Sequence, residues 1–450
     1  MAVESIVAVA TPKGRGGIGV VRISGSDLGS WLPRLIDRPV VPRRAVHGAF
    51  IDAGGALIDQ GVLLFFPAPA SFTGEDVIEL QGHGSPVVMD MLVRRALELG
   101  ARPARAGEFS ERAFLNGKLD LVQAEAVADL VAAESEAAAR AALRSLQGEF
   151  SRQVERIGDQ LIQLRVLVEA GLDFSDQDIE FVAAEAMRQK LAALVAELTE
   201  LMAKARQGSQ LREGFRIAIV GRPNAGKSSL FNALSGLDAA IVTAAPGTTR
   251  DVMKEAVEFE GISFQLLDTA GLRESLDPIE REGMRRARDA LANADQVLLV
   301  IDAQGDVAAE TAAFLADELT GQEDPERLTL VLNKIDLSGH TPGRCALPLH
   351  AVAVSVATGA GMDVLRAHLV EIAVGGGSTE GQFMARRRHL AALAAAFAHL
   401  RSALDSVERV PPELIAEELR QAHQELGRIT GTFGSDDLLG QIFSGFCIGK

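Results

Sequence analysis

The hydrophobic and polar positions of this 450-residue chain follow a different pattern in each part of its length. Up to about residue 118, short apolar runs alternate with Gly and Pro, which predicts strands at residues 6–10, 19–23 and 57–66. Residues 86–99 instead repeat apolar positions every three or four residues, as an amphipathic helix does. We therefore predict an α+β unit for the N-terminal part of the chain.

Residues 121–206 have the composition and spacing of several amphipathic helices. The segment is rich in Ala, Glu, Leu, Gln and Arg, and no proline occurs between Pro103 and Pro223. Good helix formers with apolar positions three and four residues apart predict helices rather than a sheet. The polar residues 173–178 mark one break between these helices.

From residue 215 onward, apolar runs typical of buried strands alternate with helical segments. The runs that predict strands are residues 215–220, 264–268, 296–302, 328–333 and 352–356. Such a succession of strands and helices indicates a mostly parallel sheet. The sequence Gly-Gly-Gly-Ser at 375–378 then predicts a linker, and residues 389–426 are helical with a break at Pro411 and Pro412.

These patterns predict a multidomain α/β and α protein in which an α/β domain is inserted into a helical domain. The predicted segments are residues 1–118, 119–212, 213–374 and 375–450. A chain of this length allows roughly three domains of about 150 residues each. An insertion is tolerable because the two termini of a compact domain usually lie close together.

Composition and charge narrow the class of protein. Apolar residues make up 47% of the chain and charged residues 24%, and the formal net charge is −16. A protein that held nucleic acid over its whole surface would carry an excess of positive charge, so RNA contact requires a local basic patch or a partner. Cys345 and Cys447 fit no metal-binding or disulfide spacing. Without a signal peptide or a long apolar run, we expect a cytoplasmic protein that does not contact a membrane.

A phosphate-binding loop is predicted at residues 221–228, Gly-Arg-Pro-Asn-Ala-Gly-Lys-Ser. It matches GxxxxGK[ST], and it stands between a predicted strand and a predicted helix as the motif requires. Lys227 would meet the β- and γ-phosphate oxygens, and the Ser228 hydroxyl would bind Mg²⁺. A glycine-rich turn that matches by chance is the alternative, at roughly one in ten for this motif alone.

Two further motifs make GTP the predicted nucleotide. Residues 268–271, Asp-Thr-Ala-Gly, and residues 333–336, Asn-Lys-Ile-Asp, each follow an apolar strand. The first is placed as a metal-linked acid and γ-phosphate sensor, and the second provides a carboxylate that can accept guanine N1–H and the 2-amino group. The order and spacing of the three motifs resemble the GTPase superfamily.

The predicted GTP site also includes a switch segment at residues 241–251 and a turn at 355–357. Thr249 is the expected second Mg²⁺ ligand beside Ser228, and Gly247 provides a hinge. The residues that we predict to contact GTP are Asn224, Ala225, Gly226, Lys227, Ser228, Ser229, Thr243, Ala244, Ala245, Pro246, Gly247, Thr248, Thr249, Asp268, Thr269, Ala270, Gly271, Asn333, Lys334, Ile335, Asp336, Ser355, Val356 and Ala357.

Two positions distinguish this site from Ras-like switches. Leu272 stands where a glutamine would orient the attacking water, so that role passes to an acid nearby, Glu274, Asp277 or Glu280. Asn224 lies inside the phosphate loop, where its amide oxygen can bind a monovalent cation such as K⁺ and supply charge near the β/γ bridge. A loop-capping hydrogen bond is an equally good interpretation of Asn224 on spacing alone.

Motifs spread over the whole chain resemble the family of tRNA modification GTPases called MnmE or TrmE. The carboxyl-terminal sequence Phe-Cys-Ile-Gly-Lys is its most distinctive signature. The motifs that carry the resemblance are residues 10–19, 71–84, 106–120, 221–228, 247–251 and 446–450.

The resemblance implies a homodimer formed through an N-terminal folate-binding domain, with a GTPase domain inserted in a helical domain. It also implies an FAD-dependent partner of the GidA/MnmG type in a heterotetramer, and modification of carbon 5 of the wobble uridine (position 34) of certain tRNAs, giving carboxymethylaminomethyl-type uridine. A tetrahydrofolate, 5,10-methylene or 5-formyl, supplies the one-carbon unit. The implied folate contacts are Arg22, Glu79, Lys118 and Lys450.

The resemblance likewise implies that K⁺ activates GTP hydrolysis. The K⁺ ligands would be Asn224, Thr243, Ala245 and Thr248, and Glu280 would be the acid that holds the catalytic water. Hydrolysis would follow dimerisation of the GTPase domains. The pair Ala245–Pro246 departs from the family pattern, which a backbone ligand tolerates.

Cys447 and the basic residues 386–389 each allow two interpretations. In the first interpretation of Cys447, its thiol reacts: it attacks uracil carbon 6 or carries the one-carbon unit. In the second, which is slightly favoured, Cys447 packs as a small apolar group. The cluster Arg386, Arg387, Arg388 and His389 fits a solvated helix face better than a contact to tRNA phosphate.

Two other functions remain in competition. A GTPase of ribosome or RNA assembly shares the Asn-bearing loop, but such proteins usually carry a basic RNA-binding appendage, and this chain is acidic. A scaffold whose GTPase domain only regulates assembly, with the chemistry left to the flavoprotein, is the second alternative.

Overall fold

The computed structural model divides the chain into two compact units. The first unit consists of Met1–Ala132, Ala142–Met202 and Arg388–Lys450, and the second of Ala133–Ala141 and Ala203–Arg387. The described residues are 4–133, 135–172, 180–236, 254–260, 262–268, 291, 294–318, 327–347, 349–374, 383–407, 409–432, 436–446 and 449. The predicted helix break at 173–178 and the predicted linker at 375–378 lie outside them.

A six-stranded sheet forms the N-terminal part of the first unit. Its strands are Ile6–Val9 (β1), Gly16–Gly25 (β2), Val46–Ile51 (β3), Leu57–Phe66 (β4), Asp76–Gly84 (β5) and Arg102–Pro103 (β6), in the order β3-β4-β5-β2-β1-β6. The predicted strand at 57–66 is confirmed, and the one at 19–23 is longer in the structure. The periodicity missed β3 and β5, because glycine and polar residues interrupt their apolar runs.

The two faces of this sheet differ in chemistry. Val21 and Ile23 of β2 are fully buried and pack in one apolar cluster with Leu92 of the helix Pro86–Glu98. Residue 22 between them points to the opposite face, since neighbouring side chains in a strand alternate. The sheet therefore presents the Arg22 side chain on the face that this helix does not cover.

Both units contain α-helices. They are Leu32–Leu35 (α1), Pro86–Glu98 (α2), Glu108–Leu115 (α3), Leu121–Val131 (α4), Glu136–Leu146 (α5), Glu149–Leu172 (α6), Glu180–Glu213 (α7), Lys227–Ser235 (α8), Val307–Glu318 (α9), Ile335–Ser338 (α10), Met362–Val374 (α11), Arg387–Ser406 (α12), Pro412–Thr430 (α13) and Asp436–Ser444 (α14), with a short 3-10 helix at Leu28–Trp31. α13 packs along α6, so the late helices pack against the early ones. A bilayer-spanning helix was not found in the described part of the chain.

The second unit contains a seven-stranded, mostly parallel sheet, as predicted. Its strands are Phe215–Val220 (β7), Lys254–Phe259 (β8), Ile262–Asp268 (β9), Gln296–Asp302 (β10), Leu328–Asn333 (β11), Gly343–Cys345 (β12) and His350–Ala353 (β13), in the order β12-β13-β11-β10-β7-β9-β8. Only the pairs at the two edges, β12 with β13 and β8 with β9, are antiparallel.

Helices on both faces of this sheet explain its continuous apolar strands. In β10, Leu298 and Val300 belong to one buried cluster, and Leu299 and Ile301 to another. A strand that is buried on both faces needs apolar residues at every position. The predicted strand at 352–356 ends earlier, at Ala353, because the Ser355 N–H bonds to the Ala360 carbonyl and turns the chain.

A buried group of charged side chains joins distant parts of the first unit. Arg388 donates Nε and Nη2 to the two oxygens of Glu125, each at 2.8 Å, and donates to the carbonyl oxygens of Arg428 and Ile429 at the end of α13. His389 Nε2 lies 3.0 Å from Glu125 Oε2, and His389 and Glu125 are each 1% exposed. A solvated helix face is therefore wrong for His389, and Arg388 is engaged within the fold.

The Glu125 carboxylate is ionised in this environment. Burial by itself would raise its pKa, but the charges and hydrogen bonds of His389 and Arg388 hold that pKa well below its usual range. A carboxyl whose pKa is lowered in the folded state stabilises the protein above its unfolded pKa of about 4.3, and that contribution is lost as the pH falls further.

We expect Arg388→Met to lower the free energy of unfolding by about 3–5 kcal/mol at neutral pH, because it leaves a buried carboxylate without its cation. Urea denaturation measures this change. The matched control is Arg401→Met, which removes an exposed pair with Asp405 on the same helix and should change stability by about 0.5 kcal/mol or less. Equal losses in the two variants would contradict the structural role of the Glu125–Arg388 pair.

Candidate functional site

The phosphate-binding loop lies between strand β7 and helix α8, as predicted. Gly221 has φ +142°, and a Cβ there would lie 2.2 Å from the Val300 carbonyl oxygen. Gly226 has φ +102°, and its Cβ would lie 2.1 Å from Asn333 Nδ2. Only glycine fits these two positions, because side chains disfavour such φ values and backbone or a buried amide fills the space.

The groups that would bind phosphate lie at the end of this loop. Lys227 Nζ donates to the carbonyl oxygens of Gly221 and Arg222, at 2.8 and 2.9 Å, so the ammonium group lies across the loop. Ser228 and Ser229 lie in the first turn of α8, where backbone N–H groups lack partners within the helix. The amino end of the helix and the ammonium group together favour an anion, and the Ser228 hydroxyl is chemically suited to Mg²⁺.

Asn224 adopts the left-handed conformation inside the loop, with φ 65°. Within the described part of the chain, its side chain makes no loop-capping hydrogen bond. The amide oxygen is therefore an available acceptor beside the phosphate-binding groups.

Asn333 connects the phosphate loop to the turn at residues 355–357. The Asn333 side chain is 3% exposed, and its Nδ2 donates to the Ala225 carbonyl at 2.9 Å while its Oδ1 accepts from the Val356 N–H at 3.2 Å. One amide thus connects β11, the phosphate loop and the turn. Because the donor is the backbone N–H of Val356, this contact does not depend on the Val356 side chain.

A buried serine orients the acid that we expect to recognise guanine. Ser355 Oγ donates to Asp336 Oδ1 at 2.6 Å, and Ser355 is fully buried. Lys334, which has φ 65°, donates from Nζ to Asp302 Oδ2 at 2.8 Å. That hydrogen bond from Lys334 is the main reason why the pKa of Asp302 is lowered. The predicted residues of the base-binding end therefore lie together at the carboxyl ends of β10 and β11.

Several predicted site residues lie outside the described part of the chain. Asp268 ends strand β9, but its side chain is not among the described ones. The predicted residues outside the description are Thr243, Ala244, Ala245, Pro246, Gly247, Thr248, Thr249, Thr269, Ala270, Gly271, Glu280, Cys447 and Lys450.

A second candidate site lies on the face of the N-terminal sheet opposite helix α2, where Arg22 and Glu79 are partly buried. Arg22 and Glu79 are cross-strand partners, and Arg22 donates from Nε at 3.0 Å and approaches with Nη2 at 2.8 Å, both to Glu79 Oε1. The Arg22 guanidinium also lies 5.7 Å from the ring centroid of Phe72 and 5.9 Å from that of Phe109. Sequence analysis missed both aromatic residues, although each falls within a motif that carries the family resemblance.

Lys118 and Gly449 approach this site from other parts of the chain. Lys118 Nζ donates to the Pro69 carbonyl at 3.1 Å, at the start of the segment that carries Phe72. A Cβ on Gly449 would lie 2.5 Å from the Val9 carbonyl oxygen, so the backbone of Gly449 touches β1. Ala8 of β1 is the cross-strand partner of Arg22, which places Gly449 beside the site.

Comparison with known proteins identifies relatives along the whole chain. The family model of the MnmE helical domain matches residues 121–447, and that of the GTP-binding protein TrmE N-terminus matches residues 5–118. A tRNA modification GTPase MnmE of Methylococcus capsulatus is 52% identical over 99% of both chains. Those of Pseudomonas aeruginosa and Alkalilimnicola ehrlichii are also 52% identical, over 100% of this chain and 99% and 100% of theirs.

GTP-binding proteins are among the solved structures that this chain resembles. The G domain of the FeoB iron transporter of T. maritima is 27% identical and covers 35% of this chain and 98% of its own. The TM-score of 0.25 is too low for that superposition to support an argument.

We expect Ser355→Ala to weaken GTP binding about five- to tenfold, because Asp336 loses the hydrogen bond that orients it toward the base (about 1 kcal/mol). Titration with a fluorescent guanine nucleotide measures the affinity. The control is Ser338→Ala, at the end of α10. It removes an exposed hydroxyl whose partner is the His340 ring. Unchanged affinity in Ser355→Ala would show that Asp336 needs no such support.

Proposed function

Because this chain belongs to the MnmE family of tRNA modification GTPases, we propose that it couples K⁺-activated GTP hydrolysis to a folate-dependent modification of tRNA. The family establishes GTP hydrolysis and a role in tRNA modification. The cation, the folate and the modified base are the proposed part. The segments 1–118, 119–212, 213–374 and 375–450 are the proposed folate, helical, GTPase and second helical parts.

The proposal for K⁺ depends on the position of Asn224. Asn224 lies in the phosphate loop three residues before Lys227, and its side chain accepts no capping hydrogen bond in the described part of the chain. The remaining proposed ligands are Thr243, Ala245 and Thr248. A bound K⁺ would supply the positive charge that an arginine finger supplies in other GTPases.

The other proposed roles in hydrolysis belong to the phosphate loop and to two residues that follow it in the sequence, Thr249 and Glu280. Lys227 holds the β- and γ-phosphate oxygens, and Ser228 and Thr249 hold Mg²⁺. Glu280 orients the attacking water, since an apolar residue occupies the usual glutamine position at Leu272. Dimerisation of two GTPase domains then orders these groups, so turnover depends on protein concentration.

We expect GTP turnover to be at least about tenfold faster in KCl than in NaCl at equal ionic strength, because a positioned charge at the β/γ bridge stabilises the transition state. The rate per molecule should rise with protein concentration. Asn224→Ala should remove the difference between the salts, whereas Asn232→Ala, an exposed residue of α8, should preserve it. Equal rates of the unmodified chain in both salts would rule out the potassium mechanism.

The proposal for folate depends on one observation, the contact of Gly449 with β1. This contact brings Gly449 next to the strand whose Ala8 pairs with Arg22, although Gly449 and Arg22 are 427 residues apart in the sequence. Arg22 and Lys450 are proposed to bind the glutamate carboxylates of a folate, since cations suit such groups. Lys118, at the start of the Phe72 segment, adds a third cation.

Glu79 is the group best placed for the pterin. Arg22 engages only its Oε1, and no hydrogen bond to Oε2 occurs among the described residues. The open oxygen can accept from an N–H of the pterin edge while Arg22 holds the carboxylate in a fixed orientation. Phe72 and Phe109 lie beside the guanidinium and provide aromatic surface for a flat ring.

The complete reaction requires further partners. We propose a homodimer formed through the N-terminal domain and a heterotetramer with an FAD-dependent protein of the GidA/MnmG type. The product would be a carboxymethylaminomethyl-type group at carbon 5 of the wobble uridine. The acidic chain, at net charge −16, favours this function over an assembly GTPase that binds RNA through a basic appendage.

We expect Glu79→Gln to weaken binding of 5-formyl-tetrahydrofolate at least about tenfold, because the amide loses the charge that strengthens the hydrogen bond to the pterin. Isothermal titration calorimetry measures the affinity. Glu98→Gln, which alters an exposed carboxylate paired with Arg95, should bind as the unmodified chain does. If the unmodified chain binds no folate at high micromolar ligand, the N-terminal assignment fails.

A further inference from the structure

The last described helix packs on the beginning of helix α3. Phe443 and Phe446 are 2% and 6% exposed and form one apolar cluster with Leu121 and Ala124. Their rings contact each other edge to face at 5.3 Å, and Phe114 of α3 packs against them. We call residues 436–446 together with Gly449 the terminal segment.

A glycine lies at the point where the terminal segment meets α3. Gly107 immediately precedes α3 and has φ +66°. A Cβ on Gly107 would lie 2.6 Å from the Phe443 carbonyl oxygen and 2.9 Å from Phe446 Cβ. The Phe443 carbonyl also accepts the Phe446 N–H at 3.0 Å, so the turn cannot move this oxygen away without disturbing its own hydrogen bond.

A second glycine has the same relation to the sheet. Gly449 has φ +98°, and its Cβ would lie 2.5 Å from the Val9 carbonyl oxygen and 3.0 Å from Ala10 Cα. Both neighbours are backbone atoms of the sheet and its continuation, which cannot rotate aside as a flexible side chain can. The terminal segment therefore touches the N-terminal domain at two points where any side chain would push it away.

Both points lie next to the proposed folate site. Phe109, two residues after Gly107, contacts the Arg22 guanidinium, and Ala8, beside Val9, is the cross-strand partner of Arg22. We propose that Gly107 and Gly449 are positioning residues, whose missing side chains let the terminal segment lie against Arg22 and Glu79. This inference rests on the proposed folate function and adds that folate binding requires the terminal segment to be docked.

Docking and folate binding then stabilise each other, because the ligand binds only the docked form. A displacement of about 1 Å at a positioned group can reduce activity about 100-fold. An alanine at either glycine would displace the terminal segment on that scale, since both contacts would be shorter than 3.0 Å.

The test compares Gly107→Ala and Gly449→Ala with a control of similar backbone conformation. Gly55, in the turn between β3 and β4, has φ +82°, and nothing lies within 4 Å of its Cβ position. Gly55→Ala therefore introduces the same backbone strain without a contact. Calorimetry with 5-formyl-tetrahydrofolate and hydrogen–deuterium exchange of peptides covering residues 436–446 are measured on the full chain, with GTP turnover as a check on the second unit.

We expect both variants to bind the folate at least about tenfold more weakly than Gly55→Ala. The amides of residues 436–446 should exchange faster in Gly107→Ala, and GTP turnover should match that of the control. Folate affinities and exchange rates equal to those of Gly55→Ala would overturn the inference. If the unmodified chain binds no folate, the proposed function fails, and the exchange rates alone then decide whether Gly107 positions the segment. Gly449→Ala keeps the test open if Gly107→Ala does not fold.

Discussion

The buried ion pair between Arg388 and Glu125 joins parts of the chain that are 263 residues apart in sequence. The insertion of the second unit separates the two halves of the first, so the halves must find each other across a long intervening chain. Glu125 is 1% exposed and the Arg388 side chain 21%. Such a buried pair is favourable only when its geometry is good and the remaining N–H donors have partners. Arg388 meets that condition by also bonding two carbonyl groups at the end of α13.

The Glu125–Arg388 pair lies where the chain returns to the first unit, and it bonds to the end of helix α13. Arg388 is the first residue of the first unit after the inserted second unit, and the helix end that it holds precedes the terminal segment. Gly431, at the end of the same helix, approaches the Phe114 ring closely. The fold thus holds the end of α13 through the ion pair, and it holds the terminal segment through close contacts at glycines.

The two candidate sites are built on the same principle with different chemistry. In the second unit, the Asn333 amide joins the phosphate loop to the turn at residues 355–357, the two parts proposed to meet the phosphate and guanine ends of the nucleotide. In the first unit, Arg22 and Glu79 orient each other on the sheet face opposite helix α2. In both cases, buried or paired polar groups position the side chains that would meet the ligand, as preorganised sites require.

The GTPase part of the protein was determined by local sequence to a large degree. Strands β7, β10 and β11 were predicted with correct bounds, because a strand buried on both faces has a continuous apolar run. The residues that we propose to bind the nucleotide were also identified from local sequence, since the phosphate loop and Asn333–Asp336 are contiguous motifs. The end of β13 was not predicted correctly, because the Ser355 N–H bonds to the Ala360 carbonyl and turns the chain there.

Only the tertiary structure decided the long-range pairings. Nothing in the sequence spacing indicated that Arg388 and His389 are buried against Glu125, since a run of basic residues is usually solvated. Likewise, Phe72 and Phe109 lie beside Arg22 only after the sheet and α3 have packed. The glycines Gly107 and Gly449 are ordinary in the sequence, and their role depends on backbone atoms that approach from the other end of the chain. Sequence patterns report local periodicity and contiguous motifs, whereas contacts between distant segments depend on how the elements pack.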